Sequence, residues 1–328
     1  MFVLNQERLM KLHVSSRVMI DMKLFRRSNP NYPKFETQKI SIIDIFSNTV
    51  ERVSVDRIKS NGMDPRSMKE RDLVRCSPSV LGYSLNEKIW GEFAVESIQQ
   101  IRFSPSPFDM LSIPDAKRKV IKSLTESRTN TANDDNENAD DIVAGKGQGV
   151  IILLHGPPGV GKTLTAETIA EQLRRPLYSI STGQLSTDAG ELEFQLSRIF
   201  DVATAWKAVL LLDEADVYLQ RRNNLQLEQN RIVATFLRKL EYYNGIFFLT
   251  TNLLNDFDDA ILDRIQLKLL YDDLDASARR NILVHFLKEA NADIEGKDLS
   301  MFSEIKLNGR QIKNIVKVAR NVALSDGV

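Results

Sequence analysis

The chain has 328 residues, which is enough to bury a full hydrophobic core and to form two or three domains. Its 44 lysines and arginines balance 44 aspartates and glutamates, so no excess of charge favours a nucleic acid or an anionic membrane surface. We therefore expect protein partners and no nucleic-acid partner. The single cysteine, Cys76, excludes an internal disulfide and fits a reducing compartment.

The apolar runs are too short for a membrane segment. The longest of them, such as 151–154 and 209–212, fall far short of the roughly 20 residues that a transmembrane helix needs. The N-terminus also lacks the layout of a signal peptide. We expect an intracellular protein, cytoplasmic or nuclear, and the sequence leaves open whether the chain is a piece of a longer protein.

Residues 1–113 contain short runs in which apolar and polar residues alternate, for example 18–24 and 40–46. Such runs are typical of β-strands, and Pro30 and Pro33 interrupt them as turn residues do. The region shows no metal-binding, triad or phosphate-binding signature. We predict a small strand-rich accessory domain over 1–113.

Residues 114–149 change from a helical pattern to a polar one. Pro114 suits the first turn of a helix, and Val120, Ile121 and Leu124 recur on one face of it. Aspartates, glutamates and asparagines follow, and then closely spaced glycines. The sequence predicts a helix and an acidic flexible linker, with an acidic binding motif as the alternative.

An apolar run over 150–154 precedes a glycine-rich loop with the pattern G-x-x-x-x-G-K-[ST]. The glycines let the backbone curl so that its N–H groups point inward, and a helix that starts directly behind the loop aims those groups at an anion. The pattern predicts a cradle for the phosphates of a nucleotide, with a lysine at the β- and γ-phosphates and a threonine hydroxyl for Mg²⁺. The cradle residues are Gly156, Pro157, Pro158, Gly159, Val160, Gly161, Lys162 and Thr163.

The apolar run over 209–212 ends in two carboxylates, Asp213 and Glu214. In α/β sheets ligands bind at the carboxyl ends of the strands, so we expect Asp213 to reach Mg²⁺ beside the cradle. A carboxylate next to a metal ligand can polarise an attacking water, and this is the role that we predict for Glu214. The alternative is an acidic cluster that only begins a helix.

The remaining pattern predicts further strands over 176–181, 245–251 and 266–271, with helices over 191–206 and 227–240 between them. Asn252 comes directly after the strand over 245–251, where its amide could orient a water. We predict an α/β nucleotide-binding domain over 150–271. Helices over 276–290 and from 308 onward predict a helical domain over 272–328.

The order of the cradle, Asp213-Glu214, Asn252, Arg264 and Arg310 resembles that of an AAA ATPase module, from about residue 142 to 328. This resemblance implies a P-loop NTPase fold, in which helices cover both faces of a five-stranded parallel sheet and a helical lid comes after it. The N-terminal part resembles the accessory domain of a group of largely uncharacterised fungal AAA proteins, which implies no function.

The resemblance also implies roles. The cradle would be the Walker A loop and 209–214 the Walker B strand, which together bind ATP and Mg²⁺. Asn252 would be sensor 1 and Arg310 sensor 2. Arg264 would be an arginine finger that acts on the ATP of a neighbouring subunit in a homo-oligomeric ring, expected to have six subunits.

Two departures from the family pattern matter. The segment 263–265 is short and has one arginine where many members have two, so the finger assignment depends on Arg264 alone. The loop over 186–190 lacks the aromatic residue that threading members use to grip a polypeptide. A processive unfoldase is therefore not expected.

The function that we infer from the sequence is ATP hydrolysis coupled to the remodelling of a protein or protein complex, with an unknown protein client. Three alternatives stay open: a small-molecule kinase, a clamp-loader-like ATPase that acts on nucleic acid, and a nucleotide-gated scaffold with little turnover.

Overall fold

The structure is a computed structural model, which describes residues 2–5, 8–32, 76–104, 115–131, 149–222, 226–292 and 296–325. The chain divides into two compact units, Met1–Ile101 and Arg102–Val328. The strand predicted over 40–46 and most of the predicted acidic linker lie outside the described residues. In the described part, no helix is long and apolar enough to cross a membrane.

The first unit is built on an antiparallel sheet of five strands in the order β2-β1-β5-β4-β3, which confirms the strand-rich prediction. The strands are β1 (Phe2–Asn5), β2 (Arg8–Lys11), β3 (Val18–Ile20), β4 (Ser79–Ser84) and β5 (Ile89–Ala94), and the helix α1 (Met22–Ser28) comes directly after β3. Asp21 begins α1, because its carboxylate accepts a hydrogen bond from the N–H of Leu24 at 2.9 Å.

Aromatic side chains form the centre of this unit. Phe25 of α1 is almost fully buried and presents ring edges to Tyr32 and Trp90, at centroid distances of 4.8 and 5.8 Å. Trp90 in turn meets Tyr83 at 5.0 Å. Edge-to-face packing of this kind stabilises a small core beyond the area that it buries.

The second unit is built on a parallel sheet of five strands in the order β10-β6-β9-β8-β7, and this confirms the predicted P-loop NTPase sheet. The strands are β6 (Val150–His155), β7 (Leu177–Ile180), β8 (Val209–Leu212), β9 (Ile246–Thr251) and β10 (Leu267–Leu270). The order places β6, β9 and β8 side by side in the middle, so residues that come directly after these three strands meet at one edge of the sheet.

Successive side chains of these strands point to opposite faces, and both faces are covered. On one face Ile152 and Phe248 pack into a cluster with Ile169, and with Ile121 of the helix that precedes the sheet. On the other face the ring of Phe247 lies 5.9 Å from those of Phe200 and Tyr243. Strands buried on both faces explain why the sequence shows continuous apolar runs here instead of alternation.

The helices of the second unit are α2 (Asp115–Thr131), α3 (Lys162–Gln172), α4 (Ala189–Ala205), α5 (Leu227–Leu240), α6 (Asp259–Leu262), α7 (Ala276–Glu289), α8 (Gly296–Glu304) and α9 (Gly309–Ser325). The last three form the predicted C-terminal helical region, and α8 was not predicted. Ile121 of α2 belongs to the core of the sheet, although the sequence pattern grouped this helix with the linker. The division into segments at 113, 149 and 271 stays a prediction.

Replacement of Phe248 by alanine should reduce the free energy of unfolding by about 3–5 kcal/mol, because it opens a cavity at a site with no solvent exposure. Urea unfolding followed by circular dichroism measures the change. Phe194→Ala is the matched control, since this ring is 62% exposed and its loss should cost less than about 1 kcal/mol. Equal losses from the two variants would contradict the assigned core.

Candidate functional site

The loop between β6 and α3 adopts a conformation that requires glycine. Gly156, Gly159 and Gly161 have φ angles of +141°, +77° and +101°, which L-residues with side chains rarely adopt. At Gly156 a Cβ atom would also lie 2.1 Å from the carbonyl oxygen of Tyr271. The three glycines let the chain curl, and α3 begins directly behind it without a side-chain cap at its N-terminus. Such a loop is suited to an anion.

Lys162 is the first residue of α3, and its side chain points back into the loop. Its Nζ donates hydrogen bonds to the carbonyl oxygens of Gly156 and Pro157, both at 2.7 Å, and to Oδ1 of Asn252 at 2.8 Å. Burial lowers the pKa of Lys162, although the carboxylate of Asp213 works in the opposite direction. The cradle and the residue after β9 thus meet at one ammonium group.

Asp213 stands at the end of β8 and receives two hydroxyl groups on one oxygen. Its Oδ1 accepts hydrogen bonds from Thr163 at 3.0 Å and from Thr250 at 2.5 Å. Leu212 pairs with Leu249 across the sheet, so the next residues, Asp213 and Thr250, are also level. The register of β8 and β9 therefore places Asp213 beside Thr250, and the bond from Thr163 joins it to the cradle. Its role as a metal ligand stays a prediction.

Glu214 is exposed and has an unusual backbone. Its φ and ψ angles of 54° and 48° are left-handed, which costs a residue with a side chain roughly 1–3 kcal/mol. Its N–H donates a hydrogen bond to Oγ1 of Thr250 at 3.0 Å, which fixes the turn. The half-buried Asp213 is held by hydroxyl groups, whereas the carboxylate of Glu214 is open to solvent.

The two arginines singled out in the sequence lie in different surroundings. Arg310 is the second residue of α9, whose start contacts the cradle: the N–H of Gly309 donates to the carbonyl of Gly159 at 2.9 Å. The charge of Arg310 also contributes to the lowered pKa of Lys162, after burial. Arg264 is half-buried, and within the described residues its side chain donates to the carbonyl of Ala260 at 3.0 Å, not to the cradle.

Residues 152–273 match the family described as ATPase family associated with various cellular activities, AAA. This match covers the cradle, both carboxylates, Asn252 and Arg264. The chain contains an AAA ATPase domain. The resemblance to the family is therefore confirmed, while the resemblance of the N-terminal unit to a fungal accessory domain stays a prediction.

Several curated proteins are similar to the chain. A protein of Methanothermobacter marburgensis described as a homologue of a 26S proteasome regulatory subunit is 31% identical over 53% of the chain and 50% of its own length. A spastin homologue of Caenorhabditis elegans is 30% identical over 43% of the chain and 29% of its length. Human fidgetin-like protein 1 is 31% identical over 45% of the chain and 23% of its own length. The chain thus spans half or less of the length of these relatives.

Among solved structures, the AAA domain of FIGL-1 in complex with ADP is similar in fold. It has a TM-score of 0.54 and 22% sequence identity, and the alignment covers 70% of the chain and 77% of the FIGL-1 chain. This likeness supports the fold of the AAA domain.

The structure adds site residues that sequence reasoning missed. Thr250 joins Asp213 to the backbone of Glu214, and Thr251 donates to Oδ1 of Asp216 at 2.8 Å. Asn308 lies against the cradle, because a Cβ atom at Gly159 would be 2.7 Å from its Cγ. The two threonines directly before Asn252 were the visible signal, since hydroxyl groups at the end of a buried strand need partners.

The polar groups of the site fit a nucleoside triphosphate with Mg²⁺. The ammonium group of Lys162 and the N–H groups at the start of α3 suit phosphate oxygens. The hydroxyl of Thr163 and the carboxylate of Asp213 are oxygen ligands of the kind that Mg²⁺ prefers. The described residues contain no group of three or more His, Cys, Asp or Glu that could hold a metal.

Thr250→Val should lower the free energy of unfolding by about 1–3 kcal/mol, because the isosteric methyl group removes the acceptor for the N–H of Glu214 and one of the two hydroxyl donors to Asp213. Thr168→Val is the control, since the Thr168 hydroxyl is equally buried but bonds only a carbonyl of its own helix. Urea unfolding of both variants measures the difference. Equal stability would show that Thr250 does not brace the two carboxylates.

Proposed function

We propose that the AAA domain binds Mg-ATP at the cradle, hydrolyses it, and uses the hydrolysis to remodel a protein or protein complex as part of a homo-oligomeric ring. The observation that supports this most directly is the meeting of three neighbouring strand ends. Lys162 behind β6 bonds Asn252 behind β9, and Thr163 bonds Asp213 behind β8. Phosphate binding, metal binding and water positioning then occur within one cluster.

Phosphate binding is assigned to the cradle and Lys162. The three oxygens that now accept from Nζ show that the ammonium group is held inside the loop. The β- and γ-phosphates would take the place of some of these acceptors. Thr163 and Asp213 would hold Mg²⁺, which would supply positive charge against the phosphates.

Water activation is assigned to Glu214 with help from Asn252. A base must lie within hydrogen-bond reach of the water, and the solvent-open carboxylate of Glu214 comes directly after the metal-binding Asp213. The left-handed turn directs Glu214 away from the strand direction, and Thr250 holds that turn. The amide of Asn252 already contacts Lys162, so it lies where the γ-phosphate and its attacking water would be.

Arg310 is assigned to the ATP of its own subunit and Arg264 to that of a neighbour. The start of α9 touches the cradle, which supports a role for Arg310 in cis. Arg264 bonds Ala260 on its own short helix, so its guanidinium is not committed to the cradle of the same chain. Arginine fingers of this kind contribute roughly 10³–10⁵ in rate.

A protein client is supported by the balanced charge of the chain and by the names of relatives, one of which is described as a homologue of a proteasome regulatory subunit. The loop before α4 does not suit the gripping of a polypeptide. Ser186 donates to Glu191 at 2.8 Å, and Asp188 accepts from the N–H of Glu191 at the same distance, so these polar groups cap α4. We therefore propose remodelling without processive threading.

Glu214→Gln should keep Mg-ATP binding and slow hydrolysis by roughly 10²–10⁴, because the amide cannot accept a proton from water. Phosphate release at saturating ATP measures turnover, and equilibrium binding of a fluorescent ATP analogue measures affinity. Glu228→Gln is a matched control on an exposed helix surface, where Glu228 faces Arg231 at 3.6 Å. Unchanged turnover in Glu214→Gln would show that Glu214 only begins a turn.

Arg264→Ala and Lys162→Ala should each be nearly inactive, but a mixture of the two should regain part of the activity. An interface that places the intact Arg264 of a Lys162→Ala subunit beside the intact cradle of an Arg264→Ala subunit has every group. Turnover per subunit should also rise with protein concentration as the ring forms. If the mixture stays inactive and turnover is independent of concentration, Arg264 does not act on a neighbour.

A further inference from the structure

An ion pair between the half-exposed Arg222 and the buried Asp258 lies between the site and the helix of Arg264. Asp258 is 3% exposed, and its Oδ2 accepts a hydrogen bond from Nε of Arg222 at 2.8 Å. Nη2 of Arg222 approaches Oδ1 at 3.4 Å, so the guanidinium faces both carboxylate oxygens. An arginine fork of this kind fixes orientation as well as charge. The described geometry of the cradle and its carboxylates does not involve this pair.

The ion pair belongs to a short stretch of backbone pairing, which we call the clamp and define as 219–222 against 256–259. Gln220 and Phe257 form an antiparallel bridge. The N–H of Asp258 donates to the carbonyl of Leu219 at 3.0 Å, and the N–H of Arg221 donates to that of Asp256 at 2.6 Å. The clamp therefore joins the turn after Glu214 to the segment after Asn252.

Asp258 also begins the helix α6. Its Oδ1 accepts from the N–H of Ala260 at 3.0 Å, and its carbonyl oxygen accepts from the N–H groups of Ile261 and Leu262, both at 3.1 Å. Arg264 comes after this single helical turn and donates to the carbonyl of Ala260 at 3.0 Å. A helix of four residues has little stability of its own, so the group that anchors its first turn also sets the position of Arg264.

The charges around Asp258 support this view. Burial would raise the pKa of its carboxyl, but the hydrogen bonds from Arg222 lower it by more, so the group stays ionised. Loss of the Arg222 side chain would leave a buried carboxylate with backbone donors only, the N–H groups of Ala260 and of residue 222. A buried charge that loses its partner shifts toward solvent or takes up a proton, and either change moves the start of α6.

We propose that Arg222 is a positioning residue for Arg264: through Asp258 it fixes the helix that presents Arg264 to the neighbouring subunit, and it ties that helix to the turn of Glu214. The inference rests on the proposed function, in which Arg264 acts in trans. It adds that the position of the finger is set from inside its own subunit, by the ion pair of Arg222 with Asp258.

The test uses Arg222→Gln in the full chain. The variant should bind Mg-ATP as the parent does but turn it over about 10–100 times more slowly, since a displacement of about 1 Å at a catalytic group can cost 10²-fold. Arg221→Gln is the matched control. The adjacent Arg221 pairs with Asp259 at 2.9 Å, but both side chains are exposed, at 61% and 75%, so its loss should leave turnover near that of the parent.

Mixing then assigns the defect to one side of the interface. Arg222→Gln should regain activity when mixed with Lys162→Ala subunits, which offer an intact finger, and should gain nothing from Arg264→Ala subunits. The reverse pattern would show that Arg222 supports the cradle of its own subunit and would overturn the proposal. A merely structural brace would weaken both mixtures equally, which also overturns it.

Two further variants protect the test. Arg222→Lys keeps the charge but not the fork. It should lose less turnover and should also recover with Lys162→Ala subunits but not with Arg264→Ala subunits, which keeps the test open even if Arg222→Gln does not fold. Asp258→Asn keeps a good N-cap and loses the ion pair, so it should reproduce the loss of Arg222→Gln, and the double variant should be no worse than either. If Arg264→Ala and Lys162→Ala fail to recover together, the trans finger and the positioning role both fall. If they recover together but Arg222→Gln recovers with Arg264→Ala subunits instead of Lys162→Ala subunits, only the positioning role is overturned.

Discussion

The site depends on one buried cation. Lys162 is 8% exposed, and its three donor hydrogens are taken by two carbonyl oxygens of the cradle and by the amide oxygen of Asn252. An ammonium group without such partners would lose much of its charge on burial. The cradle therefore needs β9 as well as its own backbone, and the parallel order of β6, β9 and β8 supplies that neighbour.

The two adjacent carboxylates divide the remaining work because their backbones differ. Asp213 continues the strand direction and lies among hydroxyl groups, which suits a fixed metal ligand. Glu214 takes a left-handed turn and stays open to solvent, which suits a group that meets water. The hydroxyl of Thr250 bonds both residues, so a movement of one of them would displace the other.

Local pattern was enough to predict the parts of the fold that depend on burial. The strand over 209–212 and the helix over 227–240 have the bounds that their apolar residues indicate. All residues of the strand are buried, and the helix buries one face. The helix α8 was missed, since its nine residues, GKDLSMFSE, mix apolar and polar types without a clear stripe. The pairing of β3 with β4 could not be predicted either, because the paired residues lie more than sixty positions apart in the chain.

The candidate site shows the same division. The cradle, Asp213 and Asn252 could be predicted because a spaced motif and a strand end determine where they lie. The contacts of Thr250, Asn308 and Arg222 could not, since each joins residues that are distant in sequence and depends on the register of two elements. The sequence position of Arg264 does not predict where its side chain points, because that depends on how α6 begins at Asp258.

The clamp gives the AAA domain a mechanical continuity that its motifs alone do not. The turn of Glu214, where water would be activated, runs within a few residues into 219–222, and this stretch pairs with the segment that begins α6. A rotation of that turn would be transmitted through the backbone hydrogen bonds of the clamp and through the ion pair of Arg222 with Asp258. Packed elements of this kind shift between discrete positions and do not deform gradually. Under the proposed function the linkage would also work in reverse, because a neighbour that engages Arg264 would favour one orientation of the turn that holds Glu214. The state of each cradle would then depend on two contacts, its own nucleotide and the subunit beside it.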